Sequence, residues 1–108
     1  MELKDLEVMR ELTDQELVMQ GGLFAASRSK VTNLSTADCV DELTVSMIQA
    51  GLDPTANSPI VLASPDGNNI VGGRCVASSN IVFVYAVGSD SFSTQVSRAE
   101  AVINAYND

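Results

Sequence analysis

The spacing of apolar residues changes twice along this 108-residue chain, and the order of the changes limits the possible folds. A helical spacing begins at Ser35 and is stopped by Gly51 and Pro54. Three strand-like runs follow, and a helical spacing returns from about residue 93 to 106. The strand-like runs cover residues 60–63, 70–77 and 81–87. This order is typical of a small α+β domain.

Local signals support these elements. Ser35 and Asp38 form a capping pair at the first helix, and residues 64–69 carry the Pro, Asp, Gly and Asn of a tight turn. Gly72 and Gly73 interrupt the second strand, where we expect a bulge. Residues 23–34 are small and polar, which indicates a spacer or a short edge strand. The predicted fold is therefore a three-stranded antiparallel meander flanked by two helices. The inner helix positions are Val40, Leu43, Met47, Ile48, Val96, Ala99, Val102 and Ile103.

Composition excludes several classes of function. There are 14 acidic against 6 basic residues, a net charge of −8, so neither nucleic acid nor an anionic membrane surface is expected as a partner. No apolar run approaches the ~20 residues of a membrane span. The chain has no His, which removes the commonest general base and metal ligand. We expect no enzyme activity, no metal and no cofactor.

The N-terminal 22 residues differ from the remainder. They carry six acidic and two basic residues, a net charge of −4, so the other 86 residues share the remaining −4. Apolar residues recur about every three positions, at Leu3, Leu6, Met9 and Leu12. Thr13 and Glu16 have the spacing of a capping box, and Leu12 and Leu17 that of a hydrophobic staple. These signals predict an amphipathic helix that ends at Gly21 and Gly22.

Residues 11–22, with the sequence ELTDQELVMQGG, resemble a double-glycine leader of small secreted bacterial peptides, including unmodified bacteriocins. The resemblance implies that a peptidase-containing ABC transporter binds the leader helix, cuts after the second glycine and exports the remainder. The cut would then lie at Gly21 and Gly22, and residues 23–108 would be the mature domain. The implied recognition residues are Leu12, Glu16, Leu17 and Met19. An ordinary N-terminal helix with a glycine cap is the structural alternative.

The 86 mature residues are long for a bacteriocin and lack its Lys-rich charge. They are more similar to the small double-glycine proteins that cyanobacteria secrete to build biofilms. That resemblance implies a secreted matrix or signalling component, with amyloid-like assembly in some members. The alternatives are a bacteriocin-like toxin or secreted peptide signal, a modified-peptide precursor, and an intracellular binding domain.

One segment gives an independent reason to expect self-association. It has seven residues of high β-propensity without charge, Pro or Gly, the composition of a steric zipper. The segment is Ile81, Val82, Phe83, Val84, Tyr85, Ala86 and Val87. The same composition is typical of a central strand buried in a monomer. The two interpretations are compatible, because a buried strand becomes available when its domain opens.

The two cysteines, Cys39 and Cys75, are too few for a structural zinc site, which takes four ligands. In an exported protein we expect them to form a disulfide. In a reducing compartment they would be two buried thiols. The sequence leaves both possibilities open.

Overall fold

The computed structural model describes residues 17–19 and 23–108. Within them the chain forms six β-strands and two α-helices. In chain order these are β1 (Leu17–Met19), β2 (Leu23–Val31), α1 (Thr36–Gln49), β3 (Thr55–Asn57), β4 (Ile60–Asp66), β5 (Asn69–Val76), β6 (Ile81–Gly88) and α2 (Phe92–Ala105). A short 3₁₀ helix, Ala77–Ser79, connects β5 to β6.

The strands form one sheet in the order β1-β2-β6-β5-β4-β3, and every neighbouring pair is antiparallel. β3 to β6 are a meander of four consecutive strands. β2 comes before α1 in the chain but pairs with β6 along eight residues, from Phe24 opposite Gly88 to Val31 opposite Ile81. β6 therefore lies between β2 and β5.

The predicted three-stranded meander is wrong, because the sheet has additional strands on both sides of it. β2 was expected to be a spacer or a short edge strand, since its sequence is small and polar. It needs little apolar surface, because it lies near the sheet edge and Ala26 is its one buried residue. β3 is exposed along its whole length, so it has no apolar pattern to reveal it.

Both helices begin at the side chains that cap them. The Ser35 hydroxyl accepts a hydrogen bond from the Asp38 backbone N–H at 3.2 Å, as the sequence predicts. The Ser91 hydroxyl does the same for the Thr94 N–H at 3.3 Å. Each cap satisfies one of the backbone donors left free in the first helical turn.

The core lies between one face of the sheet and the two helices. α1 packs on β4 and β5, and α2 packs on β2 and β6. Ile48 was predicted to face inward, but it is 57 % exposed near the C-terminal end of α1, and Val96 is half-buried. The other predicted inner residues are buried. The core cluster is Cys39, Val40, Leu43, Met47, Val61, Ala63, Val71, Cys75, Val82, Val84, Ala86, Ala99, Val102, Ile103 and Tyr106.

The bulge predicted at Gly72 and Gly73 is wrong. Both residues keep a continuous register with β4 and β6. The register shifts instead between Ala63 and Asp66, where β4 approaches its turn. Glycine is present at 72 and 73 because side chains from other elements occupy the space on both faces of the sheet.

Candidate functional site

Most of the predicted leader lies outside the described residues. This holds for Leu12, Glu16, Gly21 and Gly22. Leu17 and Met19 are the ends of β1, whose backbone pairs with that of β2 in the register Leu17–Ala25 and Met19–Leu23. The helix predicted to run through residues 17–19 is therefore wrong for these three residues. Strand pairing with β2 has overridden the local helical pattern.

Cys39 and Cys75 form a disulfide. It joins α1 to β5, with the two Cα atoms 6.0 Å apart, and both residues are buried. Of the two possibilities that the sequence left open, the structure has the paired one. The disulfide links the helical layer to the sheet at the centre of the core.

The face of the sheet opposite the helices is covered by no element of the described chain. We call it the open face. Residues that are directly opposite in an antiparallel sheet share a face, so the register defines it. One row across it is Ser27, Tyr85, Gly72 and Leu62. The next row is Ser29, Phe83, Arg74 and Ile60.

The open face is apolar and accessible. Leu62 is 45 %, Ile70 47 % and Phe83 38 % exposed, and Ile81 and Val31 continue the surface towards one end. Contiguous apolar surface of this kind marks an interaction site more often than scattered exposed residues do. Apart from Arg74, the residues of the two central rows are uncharged. The arrangement can bind another apolar surface.

Two aromatic side chains form the centre of the open face. The rings of Phe83 and Tyr85 lie with their centroids 6.2 Å apart. The Tyr85 ring also lies over Gly72, where a side chain would collide with it. A glycine at 72 thus lets the Tyr85 ring pack directly on β5.

An open groove of about 500 Å³ lies beside this centre, lined by Ser27, Arg28, Ser29 and Phe83. The Arg28 guanidinium donates to the Ser27 carbonyl at 2.7 Å and forms an ion pair with Glu100 of α2 at 3.4 Å. These contacts hold a cation at the outer part of β2. The groove extends the open face along β2.

A network of hydrogen bonds is centred on the buried side chains of Asn69, at the start of β5, and Gln95 of α2. The side-chain oxygen Oδ1 of Asn69 accepts from Gln95 Nε2 at 2.9 Å and from the Asp90 N–H at 3.2 Å. Arg98 forms an ion pair with Asp90 at 2.6 Å and donates to Gln95 Oε1 at 3.2 Å. The network ties the β4–β5 turn to α2. Its members are too far apart in sequence to be recognised as a unit.

The C-terminal residues are held against β2 and α1. The buried hydroxyls of Thr32 and Tyr106 are 2.7 Å apart, and Lys30 donates to the Tyr106 carbonyl at 2.8 Å. The Asp108 carboxylate accepts from the Asn33 N–H at 2.6 Å. Burial raises the pKa of the Tyr106 phenol, although the hydrogen bond with Thr32 acts in the other direction.

The tight turn between β4 and β5 contains a perturbed carboxyl group. Asp66 Oδ1 accepts from Asn69 Nδ2 and from the Asn68 N–H, each at 2.8 Å. These two hydrogen bonds lower the pKa of Asp66. They are the internal bonds of an Asp-containing turn, as the sequence predicts.

Comparison with known proteins gives no relative: no family model, curated protein or solved structure matches the chain. Among the described residues, no three His, Cys, Asp or Glu side chains are grouped closely enough to hold a metal ion. None of the described helices is long and apolar enough to cross a membrane. The open face is the candidate functional site of the described residues. The sequence does not reveal this face, because the apolar residues of β6 do not alternate with polar ones.

Proposed function

We propose that this chain is the precursor of a small secreted bacterial protein. A peptidase-containing ABC transporter binds residues 1–22 and cuts after Gly22. Copies of the mature domain, residues 23–108, then associate outside the cell as a matrix component. One observation carries the proposal. Of the described elements, five of the six strands, both helices and the buried disulfide lie after Gly22, and the first of these strands, β2, begins at Leu23.

The disulfide supports the extracellular location. Disulfides form and persist in oxidising compartments and are rare in the cytosol. Cys39 and Cys75 lie in the core and join two layers of the domain, so their pairing is a structural link. A protein that folds after export would gain this link where it acts.

The open face supports self-association by the folded domain. Leu62, Ile70 and Phe83 are already exposed in the folded state, so no strand has to separate before copies meet. Assembly through residues 81–87 is a different process. β6 is hydrogen-bonded to β2 and β5 on its two sides, so an amyloid-like stack of this segment requires the domain to open. The first route is the one that we propose for the native protein.

The export step is tested by the intact mass of the protein in culture medium. We expect a species that begins at Leu23 and whose two cysteines are oxidised. Gly22→Val should abolish its release, because a valine side chain next to the scissile bond would not enter a narrow protease cleft. Gly67→Val is the matched control, since position 67 has open space around it and lies in the mature domain. An external species that begins at Met1, or normal maturation of Gly22→Val, would refute export by this route.

The association step is tested by sedimentation of the secreted product over a range of concentrations. We expect Phe83→Glu to reduce association strongly, because it places a charge in the middle of the open face. Ile48→Glu is the control, since Ile48 is equally apolar and 57 % exposed but lies on α1 in the other layer. A product that stays monomeric at all concentrations, or equal effects of the two substitutions, would contradict the proposal. Thioflavin fluorescence and fibre diffraction on the same samples distinguish native association from amyloid-like stacking.

A further inference from the structure

β2 is an edge strand along most of its length. Its nine residues, Leu23–Val31, include neither Pro nor Gly and pair with β6 on one side. On the other side β1 pairs with residues 23–25, and no described strand pairs with residues 26–31. The unpaired backbone of an edge strand is a template for a strand of another molecule. The outer edge of β2 is therefore a surface for backbone pairing, distinct from the side chains of the open face.

The direction of each backbone group in β2 follows from a hydrogen bond just beyond the strand. The Thr32 N–H donates to the carbonyl of Asn80, the residue before β6, at 2.9 Å. Successive residues of an antiparallel strand direct their N–H and C=O groups to opposite sides, and the register with β6 is continuous. Even-numbered residues therefore face β6. The outward residues are Leu23, Ala25, Ser27, Ser29 and Val31.

The opposite edge of the sheet is protected. β3 has three residues, Pro54 directly precedes it, and Pro59 lies two residues beyond its end. Short edge strands and prolines are common devices against pairing between molecules, and β2 has neither.

The charged side chains of β2 are bound within the same molecule. Arg28 forms an ion pair with Glu100, and Lys30 donates to the carbonyl of Tyr106 at the end of α2. Both contacts draw the cations towards the helical layer. The Arg28 guanidinium also donates to the outward Ser27 carbonyl at 2.7 Å, and a carbonyl oxygen has a second lone pair for a partner strand.

We propose that the outer edge of β2 pairs with the same edge of a second copy, antiparallel and about a two-fold axis at Ser27. The inference rests on the proposed function, because residues 1–22, and β1 with them, must first be removed. Ser27 then lies opposite Ser27 of the second copy, Ala25 opposite Ser29, and Leu23 opposite Val31. Every outward residue meets an outward residue, which gives about ten backbone hydrogen bonds. A typical protein interface has about the same number.

Charge favours this register over the next one along the strand. An axis at Arg28 would place two guanidinium groups directly opposite each other, which is destabilising. With the axis at Ser27, Arg28 lies opposite Ala26 of the second copy and Lys30 opposite Phe24. Neither cation then faces its like.

β1 and a second copy compete for the same backbone groups. In the full chain β1 is paired with Leu23 and Ala25. The axis relates these residues to Val31 and Ser29 of the other copy, so β1 on both copies leaves only the pair at Ser27. Loss of β1 raises the number of hydrogen bonds between copies from about two to about ten. Residues directly opposite share a face, so the two open faces join on one side of the combined sheet.

The test uses the full chain with β1 released by substitution. Leu17→Pro/Met19→Pro removes the two N–H groups that β1 directs at Ala25 and Leu23. Val18→Pro is the matched control, since the N–H of residue 18 points away from β2. We expect sedimentation to show dimers of the double variant at a concentration where the wild type and the control are monomers. All chains carry Phe83→Glu, so that association through the open face does not contribute.

A cysteine at the axis tests the register. In the double variant, Ser27→Cys should form a disulfide between copies under mild oxidation, because the two Cα atoms at this position are about 5.5 Å apart. Ser29→Cys is the control. Residue 29 is also exposed, but the axis separates its two copies by about 14 Å. We expect several-fold more cross-linked dimer for Ser27→Cys, and the product without residues 1–22 should behave as the double variant does.

Two results would overturn the inference. One is equal cross-linking, or none, at positions 27 and 29. The other is cross-linking of Ser27→Cys that is the same with and without the two prolines, which would mean that β1 does not cover the edge. The full-chain measurements involve neither a transporter nor the open face, so failure here is distinct from failure of the export and association experiments.

Discussion

The side chain of Leu43 fills the space that a β-carbon at Gly73 would need. Its Cδ2 atom is 2.5 Å from the position that such a carbon would take. Leu43 is fully buried in α1, so this contact sets how closely the helix approaches β5. Gly72, its neighbour, makes the corresponding approach on the open face beneath Tyr85. Gly73 therefore allows close packing of α1 on one face of the sheet, and Gly72 allows close packing of Tyr85 on the other.

Gly73→Ala should lower the free energy of unfolding by about 1–3 kcal/mol, because Leu43 has no free space to move into. Gly72→Ala should cost less, since the ring of Tyr85 can turn towards solvent. Gly67→Ala is the control, because nothing lies within 4 Å of its new methyl group. Urea denaturation of the three variants checks the ranking. A cost at position 67 equal to that at position 73 would contradict this explanation.

Loss of the disulfide should destabilise the domain by about 4 kcal/mol in the chain-entropy model, since Cys39 and Cys75 are 36 positions apart. The measurement is urea denaturation of the oxidised wild type and of the Cys39→Ala/Cys75→Ala variant. A reductant should shift the wild-type midpoint towards that of the variant. It should leave the variant itself unchanged. A wild type that is insensitive to reductant, although its cysteines are shown to be reduced, would argue against a stabilising role.

Removal of the Asn69 side chain should destabilise the domain by about 1–3 kcal/mol. Asn69→Ala takes away the acceptor for Gln95 Nε2 and for the Asp90 N–H, and Gln95 is fully buried. Asn68→Ala is a close control, since its side chain is exposed and its backbone N–H and carbonyl make its hydrogen bonds to Asp66 and Ser89. Thermal unfolding of both variants tests this. Similar melting temperatures for the two would show that the network contributes little.

Stability should fall at alkaline pH through Tyr106. Burial raises the pKa of this phenol in the folded state above its ordinary value of 10.0. The resulting stabilisation is complete below pH 10 and is lost as the pH rises through the folded-state pKa. Tyr106→Phe should be about 1 kcal/mol less stable at neutral pH, because the hydrogen bond with Thr32 is lost. The difference from the wild type should shrink above pH 10, whereas Tyr85→Phe should retain the alkaline loss. The midpoints of urea denaturation of the wild type and the two variants, measured from neutral to alkaline pH, test this prediction.

Features that depend on local signals could be predicted from the sequence. The cap at Ser35, the turn around Gly67 and the strand at 81–87 depend on neighbouring residues, and each lies where the sequence predicts it. β2 was underestimated because a strand near the sheet edge needs few apolar residues. Leu17–Met19 became a strand because pairing with β2 is a tertiary interaction.

The candidate site was harder to predict for a similar reason. The open face exists because both helices lie on the same side of the sheet, and no short sequence pattern specifies that choice. Arg98 and Asp90 look like ordinary surface charges in the sequence, and their contact depends on how α2 packs against the β4–β5 turn. Contacts of this kind depend on tertiary packing, so a short sequence pattern does not predict them.

The central place of β6 has a consequence for fibre formation. A fibre that stacks residues 81–87 forms only from molecules whose domain has opened, so its rate should rise with the rate constant of unfolding. One of the two strands that flank β6 is β5, which the disulfide fastens to α1. The redox potential of the surroundings would then control how readily the domain opens, and a reducing medium would promote its conversion to fibres.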